Sequence, residues 1–170
     1  KKLDCSYVIV GHSERRAIHG ESDELVNRKI RAVLDNEMVP IFCIGEELAI
    51  REAGSHVEHV LNQVRAGLKG FHKPELKKIV FAYEPVWAIG TGETATPEDA
   101  QEVCGAIRNE LKKIANEEIA ANARILYGGS VKSANVVDIM RQADVDGALV
   151  GGASLDPEEF ARICKFHRVI

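Results

Sequence analysis

The chain has 170 residues, 45% of them hydrophobic and 28% charged, with a formal net charge of −4, which fits a single soluble domain with one sizeable core. The acidic balance, with no basic run interleaved with aromatics, excludes nonspecific nucleic-acid binding, and no stretch approaches the ~20 apolar residues of a membrane span. The four cysteines, Cys5, Cys43, Cys104 and Cys164, are far apart and form no C-x-x-C pair, the pattern of reduced, packed thiols in a cytoplasmic protein.

Tyr7-Val8-Ile9-Val10 is apolar on both faces, as a buried parallel strand requires, and Gly11-His12-Ser13-Glu14-Arg15-Arg16 follows at its C-terminal end. Ser22 reads as the cap of a helix whose apolar residues Leu25, Ile30, Val33 and Leu34 recur at spacings near three and four. Residues 39–44 predict the second strand. After Gly45 a short helix is expected over residues 46–52; Gly54 breaks it, and Ser55 caps a second piece carrying Val57, Val60, Leu61 and Val64. Residues 67–77 read as connector.

The apolar run over residues 79–83 predicts the third strand, cut off by Glu84-Pro85 because proline cannot donate to a sheet ladder. Thr96-Pro97-Glu98-Asp99 then reads as a cap, an N1 proline and two first-turn acids opening a helix to about residue 118, with Val103, Ile107, Leu111 and Ile114 on one stripe. The segment between holds a carboxylate at its root, the chain's only tryptophan (Trp87), and Gly90 and Gly92 near its tip. That is the composition of a lid with a rigid root and a mobile crown. A fourth strand is expected over residues 124–127, ending in Gly128-Gly129-Ser130-Val131, and Ser133 caps a short helix through Val136, Val137 and Met140. The fifth, over residues 148–150, ends in Gly151-Gly152-Ala153-Ser154, and a last helix starts near Pro157 with Phe160 and Ile163.

Strand followed by helix, five times, with connections long enough for right-handed crossovers, is parallel α/β. An open doubly wound sheet and part of a closed (β/α)8 barrel both satisfy it. In either, function gathers at strand C-terminal ends, where His12, Glu84, Ser130, Gly151 and Gly152 fall. A carboxylate and an imidazole at one sheet mouth suit proton transfer beside a carbonyl, one removing the proton and the other polarising oxygen. Gly90, Ser130, Gly151 and Gly152 offer unobstructed backbone N–H groups, and a glycine pair leading into a helix start favours phosphate. Cys43 has no base beside it and reads as a packed thiol. His56 and His59 lie three apart on one helix, without a third metal ligand. His19, His72 and His167 read as loop or surface residues, and Trp87 as a hinge anchor.

The segments YVIVGHSERR, IFCIGEE, AYEPVWAIGTG, YGGSV and GALVGGASL, in this order and spacing, closely resemble the triosephosphate isomerase family. The resemblance implies a (β/α)8 barrel, here its parallel strands 4 to 8 with their helices as one domain over residues 1–170. It implies interconversion of dihydroxyacetone phosphate and D-glyceraldehyde 3-phosphate through an enediolate, in glycolysis and gluconeogenesis, by a cytoplasmic homodimer without metal or organic cofactor. By resemblance Glu84 is the general base, His12 the neutral electrophile and Glu14 a carboxylate supporting the site. Gly90, Ser130, Gly151 and Gly152 form the phosphate cradle, and residues 85–95 the closing lid. Glu93 departs from the family, which often has lysine at the lid's exit.

Nothing in the 170 residues corresponds to the family's first three βα units, nor to the Asn and Lys that the family places after its first strand. Losing one preorganised donor of that kind typically costs about 2.7–4 kcal/mol in the barrier. The expectation is therefore inactivity of this stretch by itself. Helices cover one sheet face only, so the other face and two strand edges are expected to be exposed. That favours self-association, or complementation by a further segment as a noncatalytic barrel piece. A different phosphate-binding parallel α/β protein is the remaining alternative, allowed by fold analogy.

Overall fold

The computed structural model describes residues 2–91 and 93–168. The strands are β1 (Tyr7–Val10), β2 (Val39–Ile44), β3 (Val80–Tyr83), β4 (Arg124–Tyr127) and β5 (Gly147–Ala148). Among the described residues they form one sheet in sequence order, every neighbouring pair parallel. Unreversed order is the arc of a barrel wall; a doubly wound sheet reverses its order partway.

Helices α1 (Ser13–His19), α2 (Asp23–Asp35), α3 (Leu48–Glu52), α4 (His56–Gly67), α5 (Lys73–Leu76), α6 (Pro97–Ile114), α7 (Glu117–Asn122), α8 (Val136–Met140) and α9 (Pro157–Cys164) fill the connections. The sheet presents to them rows set by register: Phe42 beside Phe81 beside Ile125, and Ile44 beside Tyr83 beside Tyr127. Val26, Ile30 and Val33 of α2, Val60 and Val64 of α4, and Val103, Ile107 and Leu111 of α6 are buried against this face, each such burial stabilising by about 1.5–3 kcal/mol. Gly67 is the residue that lets α4 approach, because a Cβ there would meet the Phe42 ring.

The opposite face is open at the β1 edge. In the row Ile9, Ile41, Val80, Ile9 is 47% exposed and Val80 is buried, and Tyr7 beside it is 51% exposed. The expected exposure thus falls on the first strand, while on β3 Val80 and Ala82 are both buried.

Several boundaries differ from expectation for local reasons. Helix α1 begins directly after β1, with His12 as its N-cap and Gly20, at φ 62°, as its C-cap. Histidine gives no sequence cap signal. Ser55 sits at the N-cap of α4, yet its hydroxyl donates back to the Ile50 carbonyl. The connector over residues 67–77 contains α5, closed by a capping box between His72 and Glu75. The long helix stops at Ile114, because Asn116 accepts from the Ile119 N–H and starts α7; Ile114 itself is exposed. Asn135, not Ser133, is the N-cap of α8, and Ser133 instead donates its N–H and hydroxyl to Glu159 of α9. Strand β5 ends at Ala148. Of the cysteines, Cys43 and Cys104 are buried, whereas Cys5 and Cys164 are exposed.

Candidate active site

Glu84 follows β3, where its N–H donates to the Ile44 carbonyl at 2.8 Å, and Pro85 after it has no N–H to give. The residue is only 2% exposed, so its carboxylate depends on local donors. Ser13 supplies its backbone N–H at 3.1 Å and its hydroxyl at 3.4 Å, and His12 Nε2 lies 2.9 Å from Oε1. His12 is held from its other side, where Nδ1 accepts the Glu14 N–H at 3.3 Å. A ring nitrogen that accepts carries no proton, so the imidazole hydrogen sits on Nε2 and points at Glu84. Burial pushes the Glu84 carboxyl above its ordinary 4.5, partly offset by His12, Ser13 and Cys43. Burial first, then the Glu84 charge, pushes the Cys43 thiol well up, which makes it a packed thiol and not a nucleophile.

Glu84 and His12 open on a cavity of about 380 Å³. Gly128, Gly129, Ser130, Val131 and Lys132 after β4, Gly151, Gly152 and Ala153 after β5, and Ile89 and Gly90 also line it. Of the seven residues singled out from sequence, six line this cavity: His12, Glu84, Gly90, Ser130, Gly151 and Gly152. Glu14 does not. It lies exposed on the first turn of α1, touching the site through its backbone N–H, and Ser13 takes the place of direct support to Glu84.

The glycine-rich wall is built from backbone. Gly129 cannot carry a side chain, since a Cβ would meet the Tyr127 hydroxyl. Ser130 donates its hydroxyl to the Ala88 carbonyl at 2.7 Å, coupling this wall to the lid root. Asn135 fixes the Ser130 turn by donating to the Ser130 carbonyl at 2.9 Å and accepting the Lys132 N–H at 2.8 Å. Gly151 and Gly152, which lead into a 3-10 turn over Gly152–Leu155, have open space where a side chain would stand.

Two positions carry the site without having drawn attention in sequence. Glu46, fully buried, accepts from the Tyr83 hydroxyl at 3.0 Å and from Trp87 Nε1 at 2.8 Å, and Arg51 stacks over the Trp87 ring at 5.0 Å. Trp87 is therefore anchored to the segment after β2. The available signal was an acid just past an apolar strand, the pattern that marked Glu84. Arg16 donates to the carbonyls of Gly11 (2.8 Å) and Cys43 (3.3 Å) and to Asp23 (2.6 Å), locking the ends of β1 and β2 together beside His12. Gly90 has φ 69° and is exposed; Gly92 lies outside the described residues. His56 engages Glu102 and His59 engages Gln63, so the two rings turn to separate partners.

The family model for triosephosphate isomerase matches residues 1–167. The chain belongs to the triosephosphate isomerase family. It is 57% identical over 165 residues to the triosephosphate isomerase of Streptomyces coelicolor, covering 97% of this chain and 64% of that relative. The corresponding figures are 58% over 166 residues for Cutibacterium acnes (98% and 64%) and 59% over 162 residues for Saccharopolyspora erythraea (95% and 62%). The chain thus spans less than two thirds of the length of these curated relatives. In the triosephosphate isomerase family the fold is a (β/α)8 barrel, and the five parallel strands here are a partial one.

Proposed function

We propose that this site serves the interconversion of dihydroxyacetone phosphate and D-glyceraldehyde 3-phosphate when the rest of the barrel is present. The observation that carries the reading is a buried carboxylate with a raised pKa, 2.9 Å from a proton-bearing imidazole nitrogen, lining one cavity together with glycine-rich segments after β4 and β5. A substrate oxygen entering between them takes the His12 Nε2–H that Glu84 now accepts. That frees the carboxylate to remove a proton from the adjacent carbon. His12 gives its Nε2 proton to the enediolate oxygen and takes one back from the neighbouring hydroxyl, and Glu84 returns the carbon proton to the neighbouring carbon, so both proton transfers are accounted for. Backbone N–H groups around Gly90, Ser130, Gly151 and Gly152 hold the phosphate, while Glu14 acts through the helix start that positions His12. Base and electrophile are both side chains, so no cofactor enters the scheme. A place in glycolysis and gluconeogenesis, a cytoplasmic setting and a homodimeric complete protein belong to the same reading; among the described residues no helix is long and apolar enough to cross a membrane.

The test is a chimera joining this chain to the part of the Streptomyces coelicolor relative outside the match. Isomerase activity that Glu84→Gln abolishes is expected. A folded chimera without activity, or one indifferent to Glu84→Gln, overturns the reading. A second reading rests on the half-exposed Tyr7 and Ile9: by itself the chain associates along β1. Sedimentation decides it, since a stable monomer contradicts association.

A further inference from the structure

Helix α4 packs Val60, Val64 and Gly67 on the sheet, and among them sits a polar side chain, Gln63, only 7% exposed. A buried amide must be satisfied at both ends. Its Oε1 accepts the Gly45 N–H at 2.8 Å. Its Nε2 therefore faces His59 Nε2 at 3.1 Å as the donor. Gly45 is the first residue after β2, where the chain leaves the sheet.

What Gly45 touches gives this bond its meaning. A Cβ at Gly45 would collide with the Glu84 carbonyl, so the two backbones are in direct contact. On either side, the Ile44 carbonyl accepts the Glu84 N–H at 2.8 Å and the Glu46 carbonyl accepts the Val86 N–H at 3.0 Å. Residues 44–46 thus grip residues 84–86 along their length, and Gln63 pins the grip from the helix side.

We propose that Gln63 is a positioning residue for Glu84, holding the Gly45 turn so that the carboxylate stays aligned with His12 and Ser13. The inference rests on the isomerase reading for its catalytic meaning, but its geometry does not. Without the anchor, Gly45 backs away from Glu84, water reaches the carboxylate, and alignment loosens.

Hydrogen exchange at the Gly45 amide and a 13C titration of the Glu84 carboxyl, both on the 170-residue chain, test it. In Gln63→Met, Gly45 exchange is expected to quicken about tenfold and the Glu84 titration to move down toward its ordinary value. Gln63→Glu keeps an acceptor for Gly45 and is expected to restore wild-type exchange. Should Gln63→Met not fold, Gln63→Asn, whose amide falls one methylene short of Gly45, removes the same bond and is expected to shift both readouts in the same direction. A variant lacking the acceptor with Gly45 exchange and Glu84 titration both unchanged overturns the proposal, even where its thermal stability falls. In the active chimera Gln63→Met and Gln63→Asn, which lack the acceptor, are expected to lower kcat about tenfold with KM unchanged. The first two readouts need no turnover. A failed isomerase reading therefore leaves them intact, whereas a failed Gln63 role leaves both them and kcat unmoved.

Discussion

Trp87 donates its indole N–H to Glu46 at 2.8 Å, so the turn that follows β3 is bonded to the segment that leaves β2. The acceptor is a buried carboxylate with the Tyr83 hydroxyl on the same oxygen. Replacing Trp87 by Phe keeps most of the packing and removes one hydrogen bond to a buried acceptor, a loss of about 1–3 kcal/mol. Urea unfolding of Trp87→Phe against wild type measures it.

The pH dependence of stability follows from Glu84. Its folded pKa lies above 4.5, so between the unfolded and folded values the native state binds more protons than the unfolded one. Stability contributed by the protonated form is present below 4.5 and is lost as pH rises through the folded value. Glu84→Gln is expected to flatten this slope, gaining on wild type toward neutral pH and converging with it near pH 4. Unfolding free energies across that range with unchanged slopes contradict the burial argument.

Gly45→Ala is expected to destabilise by about 1–3 kcal/mol through overpacking, since the added carbon meets the Glu84 carbonyl. At Gly54 the surroundings are open and only φ 68° opposes alanine, which costs about 1 kcal/mol. Thermal melts of the two variants should therefore rank Gly45→Ala as the more damaging.

Arg108 ties α6 to the approach to β5, donating to Asp144 (2.6 Å), Asp146 (2.7 Å) and the carbonyls of Ala120 (2.8 Å) and Ala123 (3.0 Å). Removing it takes a donor from both carboxylates and from the carbonyls of Ala120, Ala123 and Asp144, leaving Gln101 on Asp144 and the Ile125 N–H on Asp146. Arg108→Ala is expected to cost about 1–3 kcal/mol, and Arg108→Lys, lacking the fork, to recover only part. Equilibrium denaturation of both variants is the check.

The fold was legible where one physical signal dominated. Doubly apolar runs marked β1 to β4, and Thr96-Pro97 marked the start of α6, whose capping box with Asp99 is present. Six of the seven residues singled out line one cavity, because the C-terminal ends of neighbouring parallel strands converge on the same edge of the sheet. Glu14 was not placed by sequence, since a one-residue step along α1 turns its side chain outward while Ser13 faces Glu84. Gln63 and Arg16 escaped notice because the Gly45 N–H and the Gly11 and Cys43 carbonyls they bind are backbone groups, and backbone partners leave no trace in residue type. The break at Asn116 was missed because an apolar stripe says nothing about which polar residue will cap.

The most direct measurement is deuterium uptake from D2O into dihydroxyacetone phosphate, by mass spectrometry, in the wild-type chimera and in Glu84→Gln. Uptake reads the carbon proton transfer assigned to Glu84, whatever the rate of the later steps. The expected result is rapid exchange in wild type, slowed at least about 100-fold by Glu84→Gln. Equal exchange in the two would mean that Glu84 is not the base.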